Sequence, residues 1–145
     1  MSGKSAKVAA MVSGLEAGSW DRRYVGWFAC FNRGEYYEAH DVLEDLWLQE
    51  GKGGLNHGFY KGLIQLAGAF VHLQKGRMGP AVALFRLAEA NFARYPALHA
   101  GIDLGGVAAM SAGWRQRVEA GGGANPLVPG GAVPVVRPPE GTLPA

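Results

Sequence analysis

Residues 55–75 constrain the fold more than any other part of the chain, because they are apolar on nearly every side of a helix. On a helix of 3.6 residues per turn, the apolar side chains form one row of Leu55, Phe59, Leu66, Phe70 and Leu73, and another of Leu63, Ile64, Ala67 and Val71. Such a helix has to be covered by other elements. The sequence therefore predicts an all-α helical bundle of about five helices with this helix at its centre.

Capping residues and helical spacing place four further helices around the central one. We expect two before it, at about residues 21–32 and 35–49, with Ser19 or Asp21 as the first N-cap. After it, one helix has Pro80 in its first turn and ends near Arg94, and a last one begins at the cap residue Asp103 and ends near Ala120.

The chain divides into a helical domain over residues 20–120 and two less ordered ends. Residues 1–19 are predicted to form a weakly ordered arm. Twelve of the last 25 residues are Gly or Pro, so residues 121–145 are predicted to be a flexible tail. A faint repeat relates the stretch around Gly34 to the stretch around Gly76, and it gives the predicted hairpins a loose likeness to tetratricopeptide units.

The composition of the chain indicates which classes of partner to expect and in which cellular compartment the protein lies. The net charge is +2 with Lys and Arg scattered along the chain, whereas nucleic-acid binding requires a clustered basic face, so we expect no nucleic-acid partner. The segment from Gly62 to Leu73 is too short to span a bilayer, and we expect no membrane association. The single Cys30 cannot form an internal disulfide, and residues 1–19 show no signal peptide, so we expect a cytoplasmic protein.

The helix predicted over residues 35–49 places a histidine and a glutamate on its apolar side. His40, Glu44 and Trp47 are spaced i, i+4 and i+7, which puts all three on one side of a helix. Asp41 falls on the opposite side. A titratable pair turned toward a core costs several kcal/mol unless its hydrogen bonds are satisfied, so the spacing predicts a polar site.

The central helix carries a second pattern, a face of small and polar residues. Its members step by four and three positions: Gly58, Gly62, Gln65, Ala69 and His72. Interior glycine costs up to ~1 kcal/mol relative to alanine, which indicates close approach of a helix or a ligand. If this face turns toward the His40 helix, the polar groups converge. The side chains expected at that site are His40, Glu44, Gln65, His72, Lys61, Tyr36 and Trp47.

Several functions fit these side chains. His40 and Glu44 suit a small-ligand or catalytic site in which the imidazole acts as a general base. His40, Glu44 and His72 are a ligand set that a divalent transition metal accepts. Glu44, His40 and Gln65 also suit a purely structural hydrogen-bond network, in a helical interaction module that captures a peptide or a second copy of the chain. The sequence leaves these alternatives open, and with them the cofactor and any enzymatic activity.

Two motifs lie between residues 24 and 96: His40-x-x-x-Glu44-x-x-Trp47, and the stretch Lys61-Gly-Leu-Ile-Gln65 with His72 after it. Together they resemble the bacterial and archaeal domain-of-unknown-function family 309, whose signature is HxxxExxW. The resemblance covers half the chain. It implies a compact all-α fold and a soluble bacterial-type protein, and it implies no reaction, because the family is uncharacterised.

Overall fold

The computed structural model describes residues 3–141, and over that range it is a bundle of six helices with one short β-hairpin. The helices are α1 (Gly3–Val12), α2 (Arg22–Asn32), α3 (Tyr36–Glu50), α4 (His57–Gln74), α5 (Met78–Phe92) and α6 (Leu104–Ala120). The strands β1 (Leu98–His99) and β2 (Ile102–Asp103) pair antiparallel between α5 and α6. The all-α prediction is confirmed. Among the described helices, none combines the length and the apolar character that crossing a membrane requires.

The helix α4 lies at the centre of the bundle, where its apolar composition places it. It packs between α3 and α5, and Phe59, Leu66 and Phe70 are fully buried. Trp27 of α2 donates a hydrogen bond to the carbonyl of Leu63 at 3.0 Å. Full burial of one such side chain contributes ~1.5–3 kcal/mol to folding, so this helix anchors the core.

Side-chain caps fix two of the helix starts. Asp21 accepts a hydrogen bond from the backbone N–H of Arg23 at 2.8 Å, at the start of α2. Asp103 does the same for Gly106 at 2.9 Å, at the start of α6. Both were predicted as caps, because a short carboxylate satisfies N–H groups that have no partner inside the helix.

The β-hairpin has no counterpart in the sequence prediction. Its turn is Ala100-Gly101, and both residues have positive φ, at 48° and 77°. Two-residue hairpin turns of this kind favour Asn-Gly or Asp-Gly. Alanine at the first position hides the turn signal, and strands of two residues are too short to show alternation.

At both ends of the described range, residues outside the central helices contact the helical body. Val8 and Val12 of α1 are buried, and α1 packs on α2 and α3. In the tail, Asn125 Nδ2 donates to the carbonyl of Leu73 at 2.5 Å, and Val136 is buried. The weak order of residues 1–19, the flexibility of the tail and the resulting division into domains stay predictions, and residues 1–2 and 142–145 lie outside the described part.

Candidate functional site

One turn of α3 brings together three side chains that can ligate a cation. One ligand atom from each of His40, Asp41 and Glu44 lies within 4.8 Å of the other two. His40 Nε2 is 3.5 Å from Glu44 Oε2, and His40 Nδ1 is 3.3 Å from Asp41 Oδ1. The helix sets the first distance, because residues four apart are neighbours on its surface.

Lys4 of α1 lies over this turn and pairs with both carboxylates. Its ammonium group is 3.3 Å from Asp41 Oδ1, and it also donates a hydrogen bond to Glu44 Oε1. The hydrogen bond to Glu44 raises the pKa of Lys4, against the opposing effect of burial. The side chains of His40 and Glu44 are 31% and 25% exposed, so the cluster lies at the edge of the protein, within reach of water.

Asp41 is buried, although the helical projection placed it on the side of α3 away from the core. The residue is 7% exposed, because α1 packs on α3 and brings Lys4 onto this side. Ser5 of α1 likewise donates a hydrogen bond to Asp45 Oδ1 at 2.6 Å. The projection of α3 alone did not predict this burial, because it did not include the N-terminal helix α1 that covers this side.

The polar residues of the central helix lie elsewhere. Gln65 accepts a hydrogen bond from Asn91 Nδ2 of α5 at 2.7 Å. His72 is half-buried and is not a member of the group on the α3 turn. Its Nδ1 has no hydrogen-bond partner in the described part of the chain. Burial lowers the pKa of His72, and the charges of Arg77 and Lys75 lower it further.

The glycines of α4 explain why the predicted convergence does not form. A Cβ added at Gly62 would lie 2.6 Å from Phe92 Cε1, and one at Gly58 would lie 3.0 Å from Tyr95 Oη. The small-residue face is therefore shaped to admit α5 and the residues after it. The same face of α4 places Gln65 against α5 and away from His40.

Trp47 and Lys61 form a separate cluster where α3 ends and α4 begins. The indole of Trp47 stacks on the ring of His57 with 4.9 Å between centroids, and its Nε1 donates to the His57 carbonyl at 3.1 Å. Lys61 Nζ is 5.8 Å from the centre of the Trp47 ring, within the range of a cation–π interaction. These two predicted site residues are therefore brought together.

Tyr36, predicted as a wall of the site, lies in the aromatic core. It is 1% exposed. Its ring stacks on Phe70 at 5.0 Å and meets Phe31 edge-on at 5.1 Å between centroids. Burial raises the pKa of Tyr36 to about 12, and its hydroxyl has no hydrogen-bond partner among the described residues.

The α3 turn has the chemistry to bind a cation or to accept a proton. Imidazole and carboxylate groups are ligands for zinc, manganese and iron. Asp41 Oδ1 lies beside His40 Nδ1. A carboxylate in that position favours the tautomer with the proton on Nδ1, which leaves the Nε2 lone pair free next to Glu44. A neutral imidazole held in this way also suits a general base.

Two members of this site, Asp41 and Lys4, were missed by the sequence reasoning. A signal for Lys4 exists: Lys4, Val8 and Val12 are spaced i, i+4 and i+8, so in a helix they share one face. The two buried valines hold α1 in place and thereby carry Lys4 to α3. The only signal for Asp41 is its position next to His40.

Comparison with known proteins relates part of the chain to a family. Residues 25–91 match the model of a family described as "Domain of unknown function (DUF309)". The matched range runs from α2 into α5 and includes the His40 turn, whereas Lys4 lies outside it. Neither the curated proteins nor the solved structures contain a match to the chain.

Proposed function

We propose that the α3 turn of this chain, whose residues 25–91 match the model of domain-of-unknown-function family 309, binds a divalent transition-metal ion. The ligands are His40 and Glu44, with Asp41 beside them. One observation carries the proposal: three suitable ligand atoms, one each from His40, Asp41 and Glu44, lie within 4.8 Å of one another. The two carboxylates among these residues already pair with a cation, the ammonium group of Lys4.

The spacing of the ligand atoms suits a metal ion. Two atoms that each lie ~2.1 Å from a tetrahedral zinc ion are roughly 3.4 Å apart. His40 Nε2 and Glu44 Oε2 are 3.5 Å apart. Asp41 is the most buried of the three, so it orients the imidazole with little freedom of its own. Coordination positions that the protein does not fill would be open to water or a substrate.

Lys4 competes with a metal ion for the same carboxylates. A metal ion and the Lys4 ammonium group at Asp41 and Glu44 disfavour each other, because like charges repel. The Lys4 side chain is 39% exposed and comes from the first turn of α1. It can therefore rotate into solvent when a metal ion enters. When no metal is bound, its ammonium group neutralises the carboxylates.

Elemental analysis of the purified chain tests the site. The protein is purified without chelator, incubated at neutral pH with zinc, manganese or iron(II), and desalted. We expect about one equivalent of bound metal, and less on acidification, because the ligands have to be deprotonated. His40→Ala and Glu44→Gln should each reduce the affinity at least ~10-fold, since even residues that only orient a ligand cost that much. Less than about a tenth of an equivalent in the wild-type protein would contradict a metal site.

A structural role is the second candidate, and the contacts of α1 favour it. Lys4 bridges Asp41 and Glu44, and Asp45 binds both Ser5 and Arg23. In this alternative the charged groups serve only to hold α1 on α3, in a helical interaction module. It predicts no bound metal and a lower melting temperature for Glu44→Gln, whereas a metal site predicts that added metal raises the melting temperature of the wild-type protein alone.

We also propose a sequence motif for the family and a cellular compartment for the protein. The pattern His40-x-x-x-Glu44-x-x-Trp47 is a signature of the family, so other members should retain it when aligned. The protein is cytoplasmic: its one cysteine, Cys30, is buried, and burial raises the pKa of the thiol to about 11, which suits an unreactive thiol in a reducing compartment. Cell fractionation that recovers the protein outside the cytoplasm would contradict the cytoplasmic location.

A further inference from the structure

The two strands of the β-hairpin are attached to the helices in different ways. On β2, Ile102 is buried, and so is Leu104, the first residue of α6. On β1, Leu98 is 77% exposed, and the half-buried side chain is that of His99. Apolar burial therefore holds β2 on the core, whereas the side chain that attaches β1 is a histidine.

His99 connects β1 to the start of α4. Its Nε2 lies 2.7 Å from Oδ1 of Asn56, the residue that precedes α4. An amide oxygen only accepts hydrogen bonds, so Nε2 donates, and the free lone pair of the neutral ring is on Nδ1. The ring also meets Phe59 edge-on at 4.8 Å and lies 4.9 Å from Tyr95 between centroids. These contacts fit a neutral imidazole with aromatic neighbours.

A positive charge on His99 would not be compensated by a neighbouring charge. Burial lowers the pKa of His99, and no charged side chain in the described range offsets that effect. The titratable and charged groups on the neighbouring elements are Tyr24 of α2, Tyr60 of α4, Tyr95 after α5, Asp103 of β2, and Arg137 and Glu140 near the end of the described range. The position therefore disfavours the protonated ring.

The turn between the strands is strained at Ala100. Its φ is 48°, in the left-handed region that a Cβ disfavours. Two hydrogen bonds hold the turn in this form: Tyr24 Oη donates to the carbonyl of Ala100 at 2.8 Å, and the N–H of Glu140 donates to the carbonyl of Gly101 at 3.1 Å. Such strain persists only where surrounding contacts impose it. Loss of a contact that holds β1 would therefore release strain as well.

We propose that β1 is a pH-sensitive latch, which a proton on His99 releases from the start of α4. The added proton goes to Nδ1, and the charged ring moves from its place beside Phe59 and Tyr95 into water. The turn at Ala100 then relaxes, while β2 stays on the core through Ile102. Opening uncovers one side of the Phe59 ring, which is fully buried when the latch is closed.

The direction of the pH dependence follows from the burial of His99. In the closed form its pKa lies below the ordinary value of about 6.5, and it returns to that value when the ring reaches water. Between these two values the open form binds more protons, so the closed form loses stability as the pH falls through this range. Neutral pH keeps the latch closed, and mildly acidic conditions open it.

Amide hydrogen exchange at two adjacent glycines tests the latch in the full-length chain. The N–H of Gly105 donates to the carbonyl of Ala97, the residue before β1, at 3.0 Å, so it reports the separation of β1. The N–H of Gly106 donates to Asp103 within the cap of α6 and is the matched control. From about pH 7.5 to about pH 5.5, the protection of Gly105, corrected for the intrinsic exchange rate, should fall at least ~5-fold, and that of Gly106 should not.

Two variants separate the effect of charge from the effect of strain. His99→Gln keeps a hydrogen-bond donor for Asn56 but does not titrate, so the protection of Gly105 should no longer depend on pH. Ala100→Gly relieves the turn, because glycine adopts positive φ freely, and should make opening at about pH 5.5 roughly 5-fold less frequent. In the wild-type chain, nuclear Overhauser contacts between the rings of His99 and Phe59 should weaken over the same pH range.

Three results would overturn the proposal. One is unchanged protection of Gly105 down to about pH 5.5, with the ring contacts of His99 to Phe59 intact. Another is an equal fall in protection at Gly105 and Gly106, which would mean that the start of α6 unfolds and that β1 is not released by itself. The third is the same pH dependence in His99→Gln as in the wild-type chain, which would assign the opening to another titratable group.

Discussion

The helices α3 and α4 each pack against a further helix, and the two contacts differ in kind. The α1–α3 contact combines the buried Val8 and Val12 of α1 with charged side chains at the edge of the protein, where Lys4 pairs with Asp41 and Glu44. The α4–α5 contact depends on close packing, because the ring of Phe92 lies where a side chain on Gly62 would be. One contact keeps its functional groups within reach of solvent, and the other excludes it.

The two contacts differ in how much free energy it costs to change them. Exposed ion pairs contribute only ~0.2–1 kcal/mol each, so the ion pairs of Lys4 can open at little cost while Val8 and Val12 keep α1 on the helical body. Overpacking a close contact in a core typically costs ~1–3 kcal/mol, so the α4–α5 contact resists change. A site that has to admit a ligand belongs on the first contact, and the predictions below test that assignment.

Gly62→Val should have the largest effect, because it breaks the α4–α5 contact. Its Cβ would lie 2.6 Å from the buried Phe92 ring, so the helices have to separate or the ring has to leave its rotamer. We expect a loss of ~1–3 kcal/mol and a fall in melting temperature on the order of 5–10 °C by circular dichroism.

The matched control for this change is Gly113→Ala. Gly113 lies within α6, and a Cβ there would meet nothing within 4 Å. Alanine should therefore stabilise the helix by up to ~1 kcal/mol. If the melting temperature of the Gly62→Val variant is no lower than that of the Gly113→Ala variant, close packing at Gly62 does not stabilise the α4–α5 contact.

His72→Gln should change the pH dependence of stability. Burial lowers the pKa of His72 in the folded chain, below its ordinary value of about 6.5. Between those two values the unfolded chain binds more protons, so the free energy of unfolding falls as the pH falls through this range. Glutamine does not titrate, so the variant should lose less stability on acidification, by at most ~1.4 kcal/mol per pH unit.

Urea unfolding of both proteins at about pH 7.5 and about pH 5.5 measures this difference. Burial also lowers the pKa of His99, but His99 is present in both proteins, so its contribution cancels in the comparison. The same loss of stability in wild type and variant would show that His72 titrates in the folded chain as it does in the unfolded chain.

Lys4→Ala should have the smallest effect on stability, because it changes only the α1–α3 contact. We expect a loss below ~1 kcal/mol at low salt, relative to Lys7→Ala, which removes an exposed charge from the same helix. The difference should shrink near 1 M salt, where the screening length is ~3 Å, close to the 3.3 Å between Lys4 Nζ and Asp41 Oδ1. A loss above ~2 kcal/mol would show that the ion pairs are needed for folding.

Apolar periodicity and capping residues predicted the helices. Contacts between residues far apart in the sequence were not predicted. The apolar periodicity of α4 marked it as central, and the short carboxylates Asp21 and Asp103 marked two helix starts. The pairing of His40 with Glu44 followed from their spacing. Lys4 joins them only because α1 docks on α3, a contact between residues forty positions apart. Sequence periodicity carries no information about which face of one helix meets which face of another.

The central claim is that a metal ion bound by His40 and Glu44 competes with the ammonium group of Lys4, which pairs with Asp41 and Glu44. Calorimetric titration of zinc tests this claim most directly. Wild type, Lys4→Ala and Lys7→Ala are titrated at neutral pH and low salt. Removing the competing ammonium group should tighten zinc binding by Lys4→Ala at least ~10-fold, or about 1.4 kcal/mol, while Lys7→Ala binds as wild type does. Zinc binding that is absent in all three, or no tighter in Lys4→Ala than in Lys7→Ala, would contradict the account.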